Sequence, residues 1–384
     1  MKAIPYGRQD ISPADLAAVA EVLQSDYLTT GPAVKAFEDK FAEYVGVKYA
    51  VAVSNATVGL HLCTLVMGVD RNSKVITTPI TFAASANCVR YCDGEVVFAD
   101  IDPATILIDL DRVEEMLRAA PAGTYQGVIP VDFAGYPVDV ERLRSIADEH
   151  GLWIIEDACH APGGYFTDSK GQQQLCGNGQ FSDLTVFSFH PVKHIACGEG
   201  GMITTNDEKL YKQLMRLRTH GITREEDMLV ENHGGWYYEM HELGFNYRIT
   251  DIQAALGVSQ LDRAKQGIER RRRIAKRYDE AFHDTKIKTI EVPKDIGHAF
   301  HLYVVQVADR KGLYDKLRSL KIYSQIHYIP VPSLPYYRGL GHQPADYPMA
   351  SAYYDQCISL PMYPTLTDEE QDFVIEQVLA FSAR

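Results

Sequence analysis

The stretch Trp153-Ile154-Ile155-Glu156-Asp157-Ala158-Cys159-His160 is an apolar run that stops abruptly in acidic and imidazole groups. It reads as a buried strand whose end carries chemistry. A carboxylate at such a place needs a cationic partner, because an isolated charge taken out of water costs several kcal/mol. A protonated pyridine nitrogen would be such a partner. Taken alone, Asp157 reads equally as the N-cap of a following helix, a common place for aspartate after a strand.

Further along comes Val186-Phe187-Ser188-Phe189-His190-Pro191-Val192-Lys193, followed by His194-Ile195-Ala196-Cys197-Gly198-Glu199-Gly200-Gly201. A lysine between an apolar strand and a glycine-rich turn is partly desolvated, which favours the neutral amine able to form a Schiff base. The glycines let the backbone approach a ring or a phosphate closely. A lone buried lysine more often snorkels to the surface, and the pairing with the aspartate segment is what favours chemistry. Upstream, Ser54-Asn55-Ala56-Thr57 falls between a strand and a helix expected to begin near Val58. Free backbone N–H groups and the Thr57 hydroxyl at a helix start suit a phosphate, although any helix wants such a cap.

Around these segments short apolar runs alternate with helical ones. The strands expected are Tyr49 to Val53, Val75 to Thr78, Val96 to Ala99, Val128 to Val131, Trp153 to Glu156, Thr185 to Phe189 and Gly201 to Thr204. Alternation of this kind predicts an α/β layer architecture with a mainly parallel sheet, whose ligands gather at strand ends. Ser12-Pro13-Ala14-Asp15 opens an amphipathic helix with Leu16, Val19, Ala20 and Leu23 on its apolar face, and Val34, Phe37, Phe41 and Tyr44 form the stripe of a second that Gly46 ends. Near residue 250 the character changes. A long helical tract from Asp251 to about Phe282, a strand-like Leu302 to Val307, a helix from Lys311 to Leu320, a strand-like Tyr323 to Tyr328 and a capping box at Thr367-Asp368-Glu369-Glu370 predict a smaller α+β domain over 251–384, after a large domain over 1–250.

The 384 residues, 46% hydrophobic and 23% charged, suit a globular enzyme with two domains. A net charge of −13 disfavours a nucleic-acid partner. The basic run Arg270 to Arg273 reads as a solvated or interface face of a long helix. Seven cysteines without a CxxC pair suggest free thiols in a reducing compartment. The opening MKAIPYGRQD lacks an apolar signal core, and no apolar run approaches the ~20 residues of a membrane span. A cytoplasmic protein without a membrane partner is expected.

The motifs NAT at 55–57, TFAASAN at 81–87, EDACHAPGG at 156–164, FSFHPVKHIACGEGG at 187–201 and GFNYRITDIQAALG at 244–257 together resemble the DegT/DnrJ/EryC1/StrS family of sugar aminotransferases. The resemblance spans nearly the whole chain. It implies a fold-type I enzyme dependent on pyridoxal 5'-phosphate, acting as a homodimer with shared active sites. By matching motif positions it implies Lys193 as the lysine bonded to the cofactor and Asp157 as partner of the pyridinium nitrogen. It also implies Phe82 stacked on the ring, His160 near the ring hydroxyl, and Ala56, Thr57 and Ser188 on the phosphate, with Asn246 and Arg248 reaching that phosphate from the neighbouring subunit. Tyr6, Thr29, Gly31 and His327 are the expected substrate contacts. L-Glutamate would donate the amino group and a nucleotide-linked keto sugar would accept it. The tract Gly235 to Arg248 and the opening Ile4-Pro5-Tyr6 look most like the C4 aminotransferases of pseudaminic acid synthesis, with 4-amino-4-deoxy-L-arabinose, perosamine and bacillosamine enzymes as alternatives.

Rival classes have less behind them. A nicotinamide oxidoreductase would carry GxGxxG between a strand and a helix, which is missing here. A related dehydratase would have histidine at position 193. His190 and His194 flank the lysine, but Pro191 interrupts any helix and no HExxH occurs, so no metal is expected. A regulatory protein that binds the cofactor without turnover is the alternative of another kind, and the complete set Asp157, Ser188, Lys193 and Asn246 argues against it.

Overall fold

The computed structural model describes residues 3–382. Its central sheet is built from β1 (Tyr49–Val53), β2 (Lys74–Thr77), β3 (Glu95–Phe98), β4 (Gly127–Ile129), β5 (Trp153–Asp157), β6 (Leu184–Ser188) and β7 (Gly201–Thr205). These are the seven strands expected, with ends displaced by a residue or two. They lie in the order β1-β7-β6-β5-β4-β2-β3, and only β7 runs antiparallel to its neighbours. Every residue of β6 and β7 is buried, as strands covered on both faces require. This is the α/β fold of the fold-type I enzymes.

Two helices differ from the reading of their faces or ends. The helix Pro13–Leu23 has the predicted Ser12 cap, closed into a box by Asp15. Its apolar stripe does not point inward: Leu16 is 65% and Leu23 57% exposed, while Asp15 is fully buried. The rotation is set by polar contacts, since Asp15 accepts from Ser259 Oγ at 2.6 Å, Gln260 Nε2 at 2.8 Å and Arg263 Nη2 at 2.6 Å. The tract expected as one helix from Asp251 is two, Asp251–Leu261 and Ala264–Phe282, broken where Arg263 turns to bind Asp10 and Asp15. Nor is the run Arg270 to Arg273 a solvated face throughout, because Arg271 is buried.

A three-stranded antiparallel sheet, Lys288–Thr289, Tyr303–Gln306 and Cys357–Leu360, carries the second core. Ile274, Tyr278, Val305, Leu313 and Val374 fill it, and Ile4 joins them from the opening strand Ile4–Pro5, which pairs with Ile322–Tyr323. The strand expected over Tyr323 to Tyr328 stops at Tyr323. Beyond it the chain is irregular, tied by a bridge between Gln325 and Ser359, and this departure carries His327 and Tyr328 to the end of the large sheet. The capping box at Thr367 is present, with reciprocal 3.1 Å bonds to Glu370. All seven cysteines are free, and among the described residues no helix is long and apolar enough to cross a membrane.

The helix Pro32–Val45 buries Phe37 and Phe41 as expected and ends at Gly46 in the left-handed conformation. Its start is capped from a distance: the buried Asp251 carboxylate accepts from the N–H groups of Gly31 at 2.7 Å and Ala33 at 2.9 Å. A Cβ on Gly31 would lie 2.8 Å from Asp251 Oδ1 and collide with Tyr27, so the close approach requires glycine. Asp251→Ala leaves both donors unpaired and should lower unfolding free energy by about 3 kcal/mol in denaturant titration. A loss below about 0.5 kcal/mol would show that water replaces the carboxylate.

Candidate active site

β5 and β6 are parallel neighbours, with Asp157 opposite Val186, so the end of β5 and the turn after β6 open at one edge of the sheet. No helix follows Asp157, which excludes its reading as an N-cap. The side chain is buried and held by neutral donors. Oδ2 accepts from the Ser85 hydroxyl at 2.6 Å, Oδ1 accepts from the Cys159 N–H at 3.2 Å, and Ser85 is itself 2.7 Å from the Thr81 hydroxyl. A carboxylate so placed has its orientation set by hydrogen bonds and makes no ion pair among the described residues.

Lys193 sits in the turn between β6 and β7, its N–H bonded to the His190 carbonyl at 2.8 Å. Its stem lines a cavity of about 130 Å³ shared with Arg8 and His194. The amine is enclosed, and burial holds its pKa down to about 8. Nζ lies 3.2 Å from His301 Nε2. Four imidazoles surround this point, all driven below the ordinary histidine range, first by burial and then by nearby positive charge. For His327 the value is about 3, and its Nδ1 lies 2.8 Å from the Ser359 hydroxyl. His160 has a fixed tautomer: Nδ1 accepts from the Ala134 N–H at 3.1 Å, so Nε2 carries the proton and donates it to Tyr328 Oη at 3.1 Å.

The helix expected near Val58 begins earlier, at Ala56, because Asn55 is its cap and accepts from Val58 N–H at 3.1 Å. First-turn N–H groups at Ala56 and Thr57 have no partner inside the helix and face an incoming anion. Gly201 brings this start against the sheet: it pairs with Ser188, and a Cβ there would fall 2.6 Å from the Asn55 carbonyl carbon. Ala56, Thr57 and Ser188 are thereby gathered at one place. Phe82 joins them from one turn before Ser85, 62% exposed, with its ring 6.3 Å from that of Tyr328.

The remaining expected residues lie around this centre. Tyr6 and His327 bring their rings within 5.3 Å. Thr29 is exposed and bridges to Thr250, while Gly31 has the packing role described above. Asn246 is exposed and Arg248 half-buried. A bond from Ser54 N–H to the Tyr247 carbonyl at 2.9 Å sets their loop beside the helix start of the same chain.

Sequence reasoning passed over Ser85, His301, Tyr328 and Arg271. Thr81 and Ser85, two hydroxyls one helical turn apart inside TFAASAN, were the readable sign of a carboxylate partner. His301 stands immediately before an apolar strand, as Asp157 stands at the end of one. Neither His190 nor His194 belongs to a cluster with metal-ligand spacing. Among the described residues the group that does crowd this way is Asp132, Glu156 and Cys176, all buried.

Pyridoxal phosphate fits these residues: a buried carboxylate with no ion pair among the described residues, a lysine whose pKa is lowered to about 8, an open helix start for the phosphate and an uncovered aromatic face. The fold and the site define a pyridoxal-phosphate-dependent aminotransferase. The DegT/DnrJ/EryC1/StrS aminotransferase family model matches residues 9–379, and the chain belongs to that family. It is 38% identical over 384 residues to the spore coat polysaccharide biosynthesis protein SpsC of Bacillus subtilis (strain 168), covering 98% of this chain and 96% of that protein. Spr1654 of Streptococcus pneumoniae, described as a candidate sugar aminotransferase and solved in its PLP-form, superimposes with a TM-score of 0.91 at 30% identity, over 100% of this chain and 99% of that one. PseC of Helicobacter pylori, an aminotransferase involved in the biosynthesis of pseudaminic acid, does so with a TM-score of 0.88 at 30% identity over the whole of both chains.

Ser85→Ala removes one of the two donors to Asp157 and should weaken cofactor binding to the apoprotein about tenfold, as a charge-assisted hydrogen bond of ~1.5 kcal/mol implies. Ser85→Thr should restore it. Equilibrium titration followed by fluorescence gives both values, and equal affinity in Ser85→Ala would remove Ser85 from the site.

Proposed function

We propose that the protein transfers an amino group, with L-glutamate as donor, to C4 of a nucleotide-linked keto sugar. The first candidate is a UDP-linked 2-acetamido-2,6-dideoxy-L-hexos-4-ulose, the substrate expected for pseudaminic acid synthesis. The observation that carries the chemistry is the juxtaposition of the enclosed Lys193 amine with the unpaired Asp157 carboxylate. The substrate reading rests on the tract Gly235 to Arg248, on Ile4-Pro5-Tyr6 and on the likeness to PseC. The likeness to SpsC at 38% identity supports a sugar destined for a polysaccharide and keeps other 4-keto sugars in view.

When bound, pyridoxal phosphate supplies an electron sink for a carbanion next to nitrogen. The chain's own residues do the rest. Asp157 holds a positive charge at the ring nitrogen, and Ser85 holds Asp157. Lys193 would hold the cofactor, and its amine, a base with a pKa of about 8, would carry the proton that moves during amino transfer. His160 keeps its donor on Tyr328 in every such step, because protonating its other nitrogen would break the bond from Ala134. Ala56, Thr57 and Ser188 anchor the phosphate, Phe82 covers one face of the ring, and Tyr6, Thr29, Gly31 and His327 contact the sugar substrate.

The homodimer forms part of the same proposal, with Asn246 and Arg248 completing the phosphate site of the partner subunit. Mixing Lys193→Ala protein with Asn246→Ala/Arg248→Ala protein, each nearly inactive, should then restore activity, because one site of a mixed dimer has neither defect. If subunit exchange is verified and the mixture stays inactive, the loop serves its own chain, beside whose helix start it lies.

Borohydride treatment of the cofactor-loaded protein should fix the cofactor on Lys193, and recovery on another lysine would remove it from its role. Asp157→Asn should fold yet lose most transamination. Turnover with L-glutamate across a panel of UDP-linked 4-keto sugars tests the substrate: no preference for the 2-acetamido-2,6-dideoxy-L-hexos-4-ulose would refute the pseudaminic reading while leaving the aminotransferase intact.

A further inference from the structure

Arg271 is among the largest fully buried side chains, at 1% exposure. Its Nη1 donates to three carbonyls, those of Phe300 at 3.1 Å, His301 at 3.2 Å and Met362 at 3.0 Å, and its Nε has no partner. No carboxylate pairs with it among the described residues. A buried cation without a counter-ion is costly, and an apolar side chain of equal volume would fill the space better. The carbonyls it holds flank a strained point, since Phe300 has φ 49, a conformation uncommon for a non-glycine residue. One residue later stands His301, whose ring touches the Lys193 amine.

We propose that Arg271 is a positioning residue for Lys193: its guanidinium pins the Phe300-His301 backbone so that the His301 ring meets the lysine amine, and its uncompensated charge favours the uncharged amine. The inference deepens the proposed role of Lys193 and rests on it. The groups that face the amine divide clearly. Asp157, at the end of β5, favours the ammonium form. Cys159 beside it is a buried thiol with its pKa pushed well up, so it stays uncharged. His160, His194, His301 and His327 are held neutral. Arg8 shares the cavity with Lys193, and Arg271 supplies an opposing positive charge from the buried side; the lowering of the Lys193 pKa has burial as its first cause and Arg271 as a further one. A second cation beside a lysine is a known way to free its amine for attack on a carbonyl.

The test is the rate at which apoprotein captures pyridoxal phosphate, followed by absorbance across pH, with the attachment site confirmed by borohydride and peptide mapping. Only the neutral amine attacks, so in the unaltered chain the rate should rise with pH through a midpoint of about 8. Arg271→Gln keeps a donor for the carbonyls but removes the charge; its midpoint should move up by about one unit, lowering the rate at pH 7 about tenfold. Arg271→Lys keeps the charge without the fork, and should hold the midpoint near that of the unaltered chain while lowering the plateau rate several-fold. An unmoved midpoint in Arg271→Gln overturns the proposal. Should that variant not fold, Arg271→Lys decides: an unchanged plateau overturns the positioning role, and a lowered plateau with the midpoint kept supports it. Failure of the unaltered chain to capture cofactor on Lys193 would instead sink the proposed role of Lys193 and leave Arg271 a purely structural cation.

Discussion

The structure is organised around one buried charge, the Asp157 carboxylate at the end of β5. Its own chain gives it a hydroxyl and a backbone N–H, which orient an anion without neutralising it. The neighbouring position shows how closely charge is managed there. Strand alternation sends Glu156 to the opposite face of the sheet, where it meets Asp132 and accepts from Ser182 and Thr185. Burial raises the pKa of both carboxyls, that of Asp132 well above its ordinary value, which disfavours a second full negative charge behind Asp157. Asp157 faces the open edge of the sheet, while on the other face burial weighs against full charge on Asp132 and Glu156.

The same economy appears on the cationic side. Positive charge near Asp157 could have come from histidines, yet the four imidazoles around Lys193 are pushed below the ordinary histidine range, first by burial and then by nearby positive charge. His160 is bound to a backbone donor and His194 Nε2 donates to the Ala299 carbonyl at 2.8 Å. A protonated imidazole beside this site would compete for Asp157 with the ring nitrogen that a cofactor would place there. Orientation by uncharged rings avoids that competition, and it leaves the lysine amine as the group that titrates near the working pH.

The sheet and the proposed pair Asp157 and Lys193 could be read in the sequence because each is written locally. Seven apolar runs have strand length and strand composition; Asp157 ends one of them, and Lys193 stands in the turn that follows another. What could not be read depends on contacts between distant segments. The facing of the helix at Pro13 is decided by Asp15 meeting Ser259, Gln260 and Arg263, so the apolar stripe of Leu16 and Leu23 gave the helix but the wrong buried side. The run at Arg270 gave a helix but concealed Arg271, whose burial depends on carbonyls of residues 300, 301 and 362. The segment after Tyr323 has strand-like composition but loses its partners where the chain turns to deliver His327 and Tyr328. The resemblance supplied roles for Phe82, His160 and Asn246 that periodicity does not carry.

The exposed surface bears on the proposed second copy. Phe82 is proposed for the cofactor site, yet much of its side chain faces outward in a single chain. Leu16 and Leu23 are exposed beside Tyr27 and Leu28, and Trp236, Met240 and Leu243 are exposed in the segment that leads to Asn246. Scattered exposed apolar residues are ordinary, but these fall on the opening helix, the loop before Gly31 and the tract before the 246–248 loop, and the last two lie next in sequence to residues that the resemblance assigns to substrate and phosphate. A site that needs water excluded during proton transfer gains little from walls that stop at Phe82. A second copy laid over these segments would bury the apolar surface and close the ring face in one step. The apolar side of the Pro13 helix, unexplained by the packing of one chain, would then have a partner.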